Sequence, residues 1–331
     1  LATVELSGAA AAQGVTVEVA ADPIALLDPP DPDGLTALHD AFVPEVVVVR
    51  VPDGAVVEGP LVVVQHVSGD GVAAFAHLVV MAGSTSEVTV LDHAVSGEGA
   101  ALSCPVVELQ AADGAHLSYV GVQELGDEAW QAAHLLISTG RDATVRAWHV
   151  ALGGGYARLY VDADLPGLGS SAEVAAVYFG DSHQTHDFRS VQDHRGSRSR
   201  SNLLLKGAVV DEAHGVYTGL IRVHEGAKAT ESFLTNRNLV LSDGAHVDSV
   251  PNLEIVNEND IRSCGHAAAT GPIDEEHLFY LESRGVPTEA AERLIVFGFF
   301  DDVVSTVPVP GVRAPLRAAV SRKLDRATIH A

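Results

Sequence analysis

The stretch Asp113-Gly114-Ala115-His116-Leu117-Ser118-Tyr119-Val120 contains a pattern that recurs through most of the chain. It begins with an Asp-Gly pair and continues into a run in which apolar and polar side chains alternate. An Asp-Gly pair favours a tight turn, because glycine adopts positive φ without a steric penalty. Alternation with a period of two indicates a strand with one buried face. The stretch therefore predicts one turn followed by one strand.

Similar corners recur at a nearly constant interval along the chain. The corners are Asp53-Gly54-Ala55, Gly83-Ser84, Asp113-Gly114-Ala115, Arg141-Asp142-Ala143, Gly169-Ser170, Gly196-Ser197 and Glu225-Gly226-Ala227. A fixed period with one small-residue corner in each unit is typical of a stacked solenoid. This period fits one coil of two or three strands, although paired meander strands also fit it. The chain from residue 46 to residue 272 is thus predicted to be an all-β body.

The periodicity changes to that of helices after Pro272. Asp274 is suited to an N-cap, with two glutamates following it in the first turn, where they complement the helix dipole. A second helix is expected to open at Pro287, and a third, basic helix from about Ala314 to Arg326. Residues 273–331 are therefore predicted to form a small helical domain or docking module.

Composition narrows the class of protein. The chain has 331 residues, 47% of them hydrophobic, which is ample for a large core, and no apolar run is long enough to predict a membrane span. A net charge of −24 argues against nucleic acid as a partner, since phosphate binding needs a positive surface. No secretory leader is evident, and the two cysteines, Cys104 and Cys264, do not form a disulfide framework. We expect a cytoplasmic protein in which Cys104 belongs to the core.

Aspartates and histidines are concentrated between residues 181 and 194. They are Asp181, His183, His186, Asp187, Asp193 and His194. Such a density can indicate metal ligands, but a spacing of three places His183 and His186 on opposite faces of a strand, which favours solvent-facing or hydrogen-bonded histidines. An alternative function follows from this cluster: a carbohydrate-active hydrolase or lyase on a β-solenoid. The aromatic content of 5% weakens it, because sugar sites usually stack on aromatic rings.

Six blocks between about residues 185 and 305 occur in a distinctive order. They are His194 with Ser199, Ser201 and Lys206-Gly207; Gly219-Leu220-Ile221-Arg222-Val223; Asn236-Arg237-Asn238-Leu239-Val240-Leu241-Ser242; Pro251-Asn252-Leu253-Glu254-Ile255; Cys264-Gly265-His266; and Leu278-Phe279-Tyr280-Leu281 through Ser283-Arg284-Gly285. At this spacing the chain resembles the SufB/SufD family of iron–sulfur cluster assembly proteins.

Two positions indicate the branch of that family. SufB-like sequences carry a cysteine in the block that here reads Thr235-Asn236-Arg237-Asn238-Leu239, and a His-Glu pair where this chain has His266-Ala267. Neither feature is present, and Cys264-Gly265-His266 is similar to the SufD form. The resemblance therefore implies the SufD branch.

The resemblance also implies a domain organisation. The family fold is a right-handed parallel β-helix, here expected over residues 46–272, followed by a C-terminal α-helical domain over residues 273–331 that docks the ATPase SufC. Residues 1–45 would be an N-terminal segment from which the helical region usual in SufD is missing, by truncation or disorder. The β-helix is expected to pair with SufB.

In that assembly a nascent cluster is proposed to form where a SufB cysteine faces a SufD histidine. Carried over to this chain, that histidine is His266. Thiolate and neutral imidazole are both good iron ligands, and Cys264 and His266, two residues apart on an extended segment, would point to the same side. We expect a transient site here and no stable cluster in the isolated chain.

The resemblance further implies a non-enzymatic scaffold that contributes to cluster formation and iron acquisition, with ATP hydrolysis carried out by SufC. Residues expected to contact SufC are Phe279, Tyr280, Arg284, Gly285, Leu294, Ile295 and Phe299. Ordinary helix packing is the alternative role for these side chains. Some members of the assembly are linked to reduced flavin, for which the chain shows no motif, and both flavin binding and a homodimer of the isolated chain stay open.

Overall fold

A computed structural model describes residues 2–5, 8–20, 27, 32–256 and 260–326. In these residues two long β-sheets face each other and form a parallel β-solenoid, and helices follow it toward the C-terminus. The prediction of a mainly β protein with a parallel β-solenoid core and a small set of C-terminal helices is confirmed. None of the described helices combines the length and apolar character that a membrane span requires.

The elements have the following bounds. The first sheet contains, in spatial order, β1 (Ala2–Glu5), β4 (Leu61–Val67), β7 (Glu87–Ser96), β10 (His116–Glu124), β12 (Thr144–Ala151), β14 (Ser171–Gly180), β16 (Arg200–Val209), β18 (Glu231–Val240) and β20 (Ser263–Gly271). The second contains β2 (Thr16–Ala20), β3 (Val46–Val51), β6 (His77–Ala82), β9 (Val106–Ala111), β11 (Ala129–Thr139), β13 (Tyr156–Leu165), β15 (Thr185–His194), β17 (His214–Val223) and β19 (His246–Ile255). Two short strands extend it: β8 (Ala101–Ser103) pairs with β11, and β5 (Val72–Ala74) pairs with β8. The helices are α1 (Gly8–Ala12), α2 (Gly34–Phe42), α3 (Glu275–Glu282), α4 (Thr288–Val304) and α5 (Pro310–Arg326).

Neighbouring strands of the solenoid pair in parallel at an offset of one turn. His116 pairs with Glu87 of the preceding turn and with Thr144 of the following turn. The turns lengthen toward the C-terminal end, where Glu231 pairs with Ser263. A meander would place antiparallel strands side by side, so the parallel register decides between the two arrangements that the repeat allowed.

The interior of the solenoid is built from every second side chain of each strand. Leu117, Val145 and Ala172 follow one another in register through three turns, and all three are buried. Because successive side chains of a strand point to opposite faces, the alternation seen in the sequence defines this stacked apolar core. The core runs along the whole solenoid between the two sheets.

Aspartates in the corners tie each turn to the next. Gly114 adopts a φ of 70°, which glycine accepts without strain. The carboxylate of Asp113 accepts a hydrogen bond of 2.8 Å from the backbone N–H of Arg141, and that of Asp53 accepts one of 2.7 Å from Ser84. Each of these aspartates therefore satisfies a backbone donor in the adjacent corner, which explains why the Asp-Gly corner recurs.

The N-terminal segment joins both sheets. β1 pairs with β4 and β2 pairs with β3, in both cases antiparallel. α2 lies against the second sheet, where His39 Nδ1 lies 2.7 Å from the carbonyl oxygen of Cys104. Cys104 is buried, as predicted, and burial raises the pKa of its thiol to about 11.

The C-terminal helices pack on the outer face of the first sheet. Val122, Val150 and Phe179 of the strands contact buried side chains of α4 and α5, including Phe300 and Val320. The third helix begins at Pro310, earlier than the predicted start near Ala314, because proline suits the first position of a helix. The helices thus share an apolar core with the solenoid.

Lys323 of α5 carries a buried charge into this contact. Its Nζ donates hydrogen bonds of 2.7 Å to the carbonyl oxygen of Leu152, 2.6 Å to that of Phe179 and 2.7 Å to Gln184 Oε1. It also lies 3.2 Å from Asp181 Oδ1. Lys323 is only 6% exposed, and its ammonium is therefore paired on all sides within the contact.

Candidate functional site at the open end of the solenoid

The last turn of the solenoid leaves two strand edges without a neighbour in the described chain. Among the described residues, β19 pairs with β17 alone and β20 with β18 alone. Along these two strands most side chains are exposed or half-buried, whereas the inward side chains of earlier turns are mostly buried. Unpaired strand edges are a ready template for another chain, so this end is a candidate surface for strand pairing.

Cys264 and His266 both lie at inward positions of β20. Cys264 is in register with Ser232, and His266 with Leu234, and both of these partners are buried inside the solenoid. The prediction that Cys264 and His266 share one side of the strand is therefore confirmed. Cys264 is half-buried against the apolar core, while His266 is exposed. Since no further turn of the described chain covers these two interior positions, their donor atoms lie at the open end.

The thiol of Cys264 is in its protonated form at neutral pH, because burial raises its pKa above the ordinary value. A thiol must lose its proton to bind a metal. Any metal that binds Cys264 must therefore displace a proton from it. His266 provides an imidazole two residues away on the same face.

A buried line of hydrogen bonds leads to the layer beneath Cys264. The two ring nitrogens of His194 lie 2.7 Å from Ser199 Oγ and 2.8 Å from Ser201 Oγ, and Ser201 Oγ lies 2.7 Å from Ser232 Oγ. Burial lowers the pKa of His194 to about 4, so its ring is neutral. Through Ser232, this line ends directly below Cys264 in the stack.

A second network holds the two edge strands together. Asn238 Nδ2 donates to Asn236 Oδ1 at 2.7 Å and to Thr270 Oγ1 of β20 at 3.2 Å. Ser249 Oγ of β19 donates to Asn236 Oδ1 at 2.8 Å, and Tyr178 OH donates to Asn238 Oδ1 at 2.9 Å. The two asparagines therefore connect both sheets at the open end, and they belong to one of the sequence blocks that carry the resemblance.

The structure divides the helix residues predicted to contact a partner into two groups. Phe279, Tyr280 and Leu294 are 70%, 54% and 55% exposed. Ile295 and Phe299 are half-buried and pack against the core shared with the solenoid. These last two therefore serve helix packing at least in part.

The other two predicted contact residues shape the end of α3. The guanidinium of Arg284 lies over the ring of Tyr280, 4.6 Å from its centroid. Gly285 has a φ of 84°, which suits the residue that follows a helix. Among the predicted contact residues, Phe279 and Tyr280 of α3 and Leu294 of α4 are thus the exposed large apolar side chains.

The aspartates and histidines of residues 181–194 do not converge on one site. His186 faces the solenoid interior, as His194 does, and its ring stacks on Tyr178 at a centroid distance of 5.5 Å. The remaining residues point elsewhere: Asp187 and Asp193 pair on the outer face with Arg189 and Arg195, Asp181 pairs with Lys323, and His183 is exposed beside Glu212. The residues of this cluster therefore take different partners on different faces of the solenoid.

One cluster of possible metal ligands was not predicted from the sequence. His214, His246 and Asp248 bring three donor side chains together on the outer face of the second sheet. His214 and His246 are in register on adjacent strands, one solenoid turn apart. Their offset along the chain is longer than the spacing of the corners in the sequence, so the corner pattern alone did not place them side by side.

Comparison with known proteins identifies the family to which the chain belongs. Residues 64–299 match the family model described as "SUF system FeS cluster assembly, SufBD core domain". An iron–sulfur cluster assembly SufBD family protein of Mycobacterium bovis is 38% identical over 282 residues, which cover 83% of this chain and 68% of that protein. The iron–sulfur cluster assembly protein SufD of Bacillus subtilis is 30% identical over 298 residues, covering 89% and 68%, and that of Escherichia coli is 28% identical over 240 residues, covering 72% and 56%. The chain therefore belongs to the SufBD family of the SUF iron–sulfur cluster assembly system.

Proposed function

We propose that this chain is a non-catalytic scaffold subunit of a cytoplasmic SUF complex, working with SufB and with the ATPase SufC. The observation that carries the proposal is the open end of the solenoid, where β19 and β20 have edges that no described strand pairs with, next to the inward-facing Cys264 and His266. Strand pairing with SufB at these edges would enclose the two side chains. The nascent cluster would then form between the two subunits.

The donor set supports a transient site completed by the partner. Iron–sulfur clusters are commonly held by four protein ligands, and Cys264 and His266 are two donors on one strand. The missing ligands would come from SufB across the interface between the two subunits. The raised pKa of the Cys264 thiol favours weak, exchangeable binding, because the thiol must first release a proton. Such a site suits iron acquisition and release of a finished cluster.

The exposed face of α3 and α4 supports a second docking surface, for SufC. Phe279, Tyr280 and Leu294 are large apolar side chains in contact with water, and aromatic anchors of this type dominate protein interfaces. α4 and α5 are packed onto the solenoid. A movement of SufC during ATP hydrolysis would therefore be transmitted to the β-solenoid.

The substitution His266→Ala tests the proposed cluster site. We expect the complex with SufB and SufC to assemble normally, since His266 is exposed, while cluster maturation in cells that depend on this system falls. The measurement pairs co-purification of the three subunits with the activity of a cellular iron–sulfur enzyme.

His116→Ala is the matched control, because His116 is also exposed and also lies on the first sheet. Full maturation with His266→Ala, or an equal loss with His116→Ala, would remove the role assigned to His266. Failure of the unaltered chain to co-purify with SufB and SufC would contradict the scaffold function itself.

A further inference from the structure

His214, His246 and Asp248 form a compact cluster on the outer face of the second sheet, away from the inward face of the first sheet where Cys264 and His266 lie. His214 opens β17 and His246 opens β19, and the two are direct partners in the parallel ladder. Asp248 follows two residues after His246, so it points to the same face. The three side chains are thus fixed on paired strands.

The donor atoms are already close together. One donor atom from each side chain lies within 4.8 Å of the other two. His214 Nε2 lies 3.0 Å from Asp248 Oδ2, and the rings of His214 and His246 stack with centroids 3.8 Å apart. Metal–nitrogen and metal–oxygen bonds of about 2.0–2.2 Å place two ligand atoms of one ion at most about 4.4 Å apart, so the side chains need to close in only slightly on an ion. His246 and Asp248 are exposed, so their side chains can rotate toward a shared ion.

The chemistry of the three donors selects the class of ion. Two imidazoles and one carboxylate suit zinc and ferrous iron, whereas calcium and magnesium prefer sites made of oxygen alone. Acidic residues before the two strands, Glu212 and Asp243, favour a cation at this end of the sheet. Glu212 is shared with His183, whose Nδ1 lies 3.1 Å from it.

We propose that His214, His246 and Asp248 bind one divalent transition-metal ion on the outer face of the second sheet, with water completing its coordination. The site is separate from Cys264 and His266 and does not depend on SufB or SufC. It would give the isolated chain one resident ion of its own.

Cobalt titration of the isolated full chain tests this site. The probe is Co²⁺, whose visible absorption reports nitrogen and oxygen coordination, and Zn²⁺ is then added to displace it. To keep the other proposed site silent, the titration is made in a His266→Ala background. We expect one Co²⁺ ion per chain. We expect His246→Ala and Asp248→Asn each to weaken binding at least tenfold, because each removes one of three protein ligands.

His183→Ala is the matched control, since His183 is an exposed histidine paired with a carboxylate and lies outside the cluster. It should leave the cobalt affinity unchanged. Equal cobalt binding by the parent and by His246→Ala would overturn the proposal, and so would an equal loss with His183→Ala. Because the readout uses no partner protein and no cluster, its outcome is independent of the outcome of the maturation test.

Discussion

Replacing Lys323 by methionine tests how the C-terminal helices are held on the solenoid. Methionine keeps the length and apolar stem of the side chain but removes the ammonium. Lys323 Nζ contacts two backbone carbonyl oxygens, those of Leu152 and Phe179, and the side chains of Gln184 and Asp181. The substitution therefore leaves the carboxylate of Asp181 without its cation in a nearly buried position. It also removes the donor from two buried carbonyl groups.

The expected effect follows from these contacts. Removing one partner of a buried ion pair typically lowers the free energy of unfolding by about 3–5 kcal/mol. Burial already lowers the pKa of Lys323, so part of the ion-pair energy is offset in the native protein. We therefore expect a loss of about 3 kcal/mol, the lower end of that range, for the unit formed by α5 and the first sheet.

Urea unfolding followed by circular dichroism, together with hydrogen exchange of α5, measures this loss. The matched control is Arg322→Met on the same helix, because Arg322 is exposed and lies 3.7 Å from Glu124. Surface pairs of this kind contribute about 0–1 kcal/mol. The double variant Lys323→Met with Asp181→Asn should recover part of the loss. If the two methionine substitutions lowered the unfolding free energy equally, the role of Lys323 in holding α5 on the solenoid would be refuted.

Two further predictions concern the interior of the solenoid. Burial lowers the pKa of four histidines to about 3 or 4 and raises that of Asp92 to about 6. Near pH 5 the four histidines are protonated only in the unfolded chain, whereas Asp92 is protonated only in the folded chain. The unfolded chain therefore binds about three more protons at these groups (four minus one). As the pH is lowered through this range, the free energy of unfolding should therefore fall by about 4 kcal/mol per pH unit. A urea midpoint equal at pH 7 and pH 5 would contradict this. The four histidines are His134, His149, His186 and His194. Gly207→Ala should lower the unfolding free energy by about 1–3 kcal/mol, because the added Cβ would overlap the ring of Tyr178. Gly271→Ala is the control: a Cβ there meets no atom within 4 Å, so this substitution should be nearly neutral in the same unfolding experiment.

The repeat made the solenoid predictable from sequence. Asp113-Gly114 and its counterparts mark corners, and the alternation after each corner marks the inward face. The parity argument also placed Cys264 and His266 on one side of a strand. What the pattern left open was the pairing of strands, since meander and solenoid share a period, and the parallel register of His116 with Glu87 and Thr144 resolved it.

Features that join distant parts of the chain were harder to predict. Lys323 reaches Gln184 and Leu152, far earlier in the sequence, and no local pattern indicates such a contact. One signal was available: β10 is apolar on both faces near Val120 and Val122, and a doubly buried strand implies a cover on its outer face. The contact between His214 and His246 depends on the pairing offset of the last turns. This offset is longer than the spacing of the corners seen in the sequence, so the corner pattern did not predict the contact.

Hydrogen exchange of the chain, alone and in complex with SufB and SufC, tests the central claim most directly. The account predicts that amides of β19 and β20 exchange readily in the isolated chain and become protected when SufB pairs with their free edges. It predicts separate protection of α3 and α4 by SufC. A complex that forms while β19 and β20 keep the exchange rates of the isolated chain would contradict the claim that SufB binds at the open end of the solenoid.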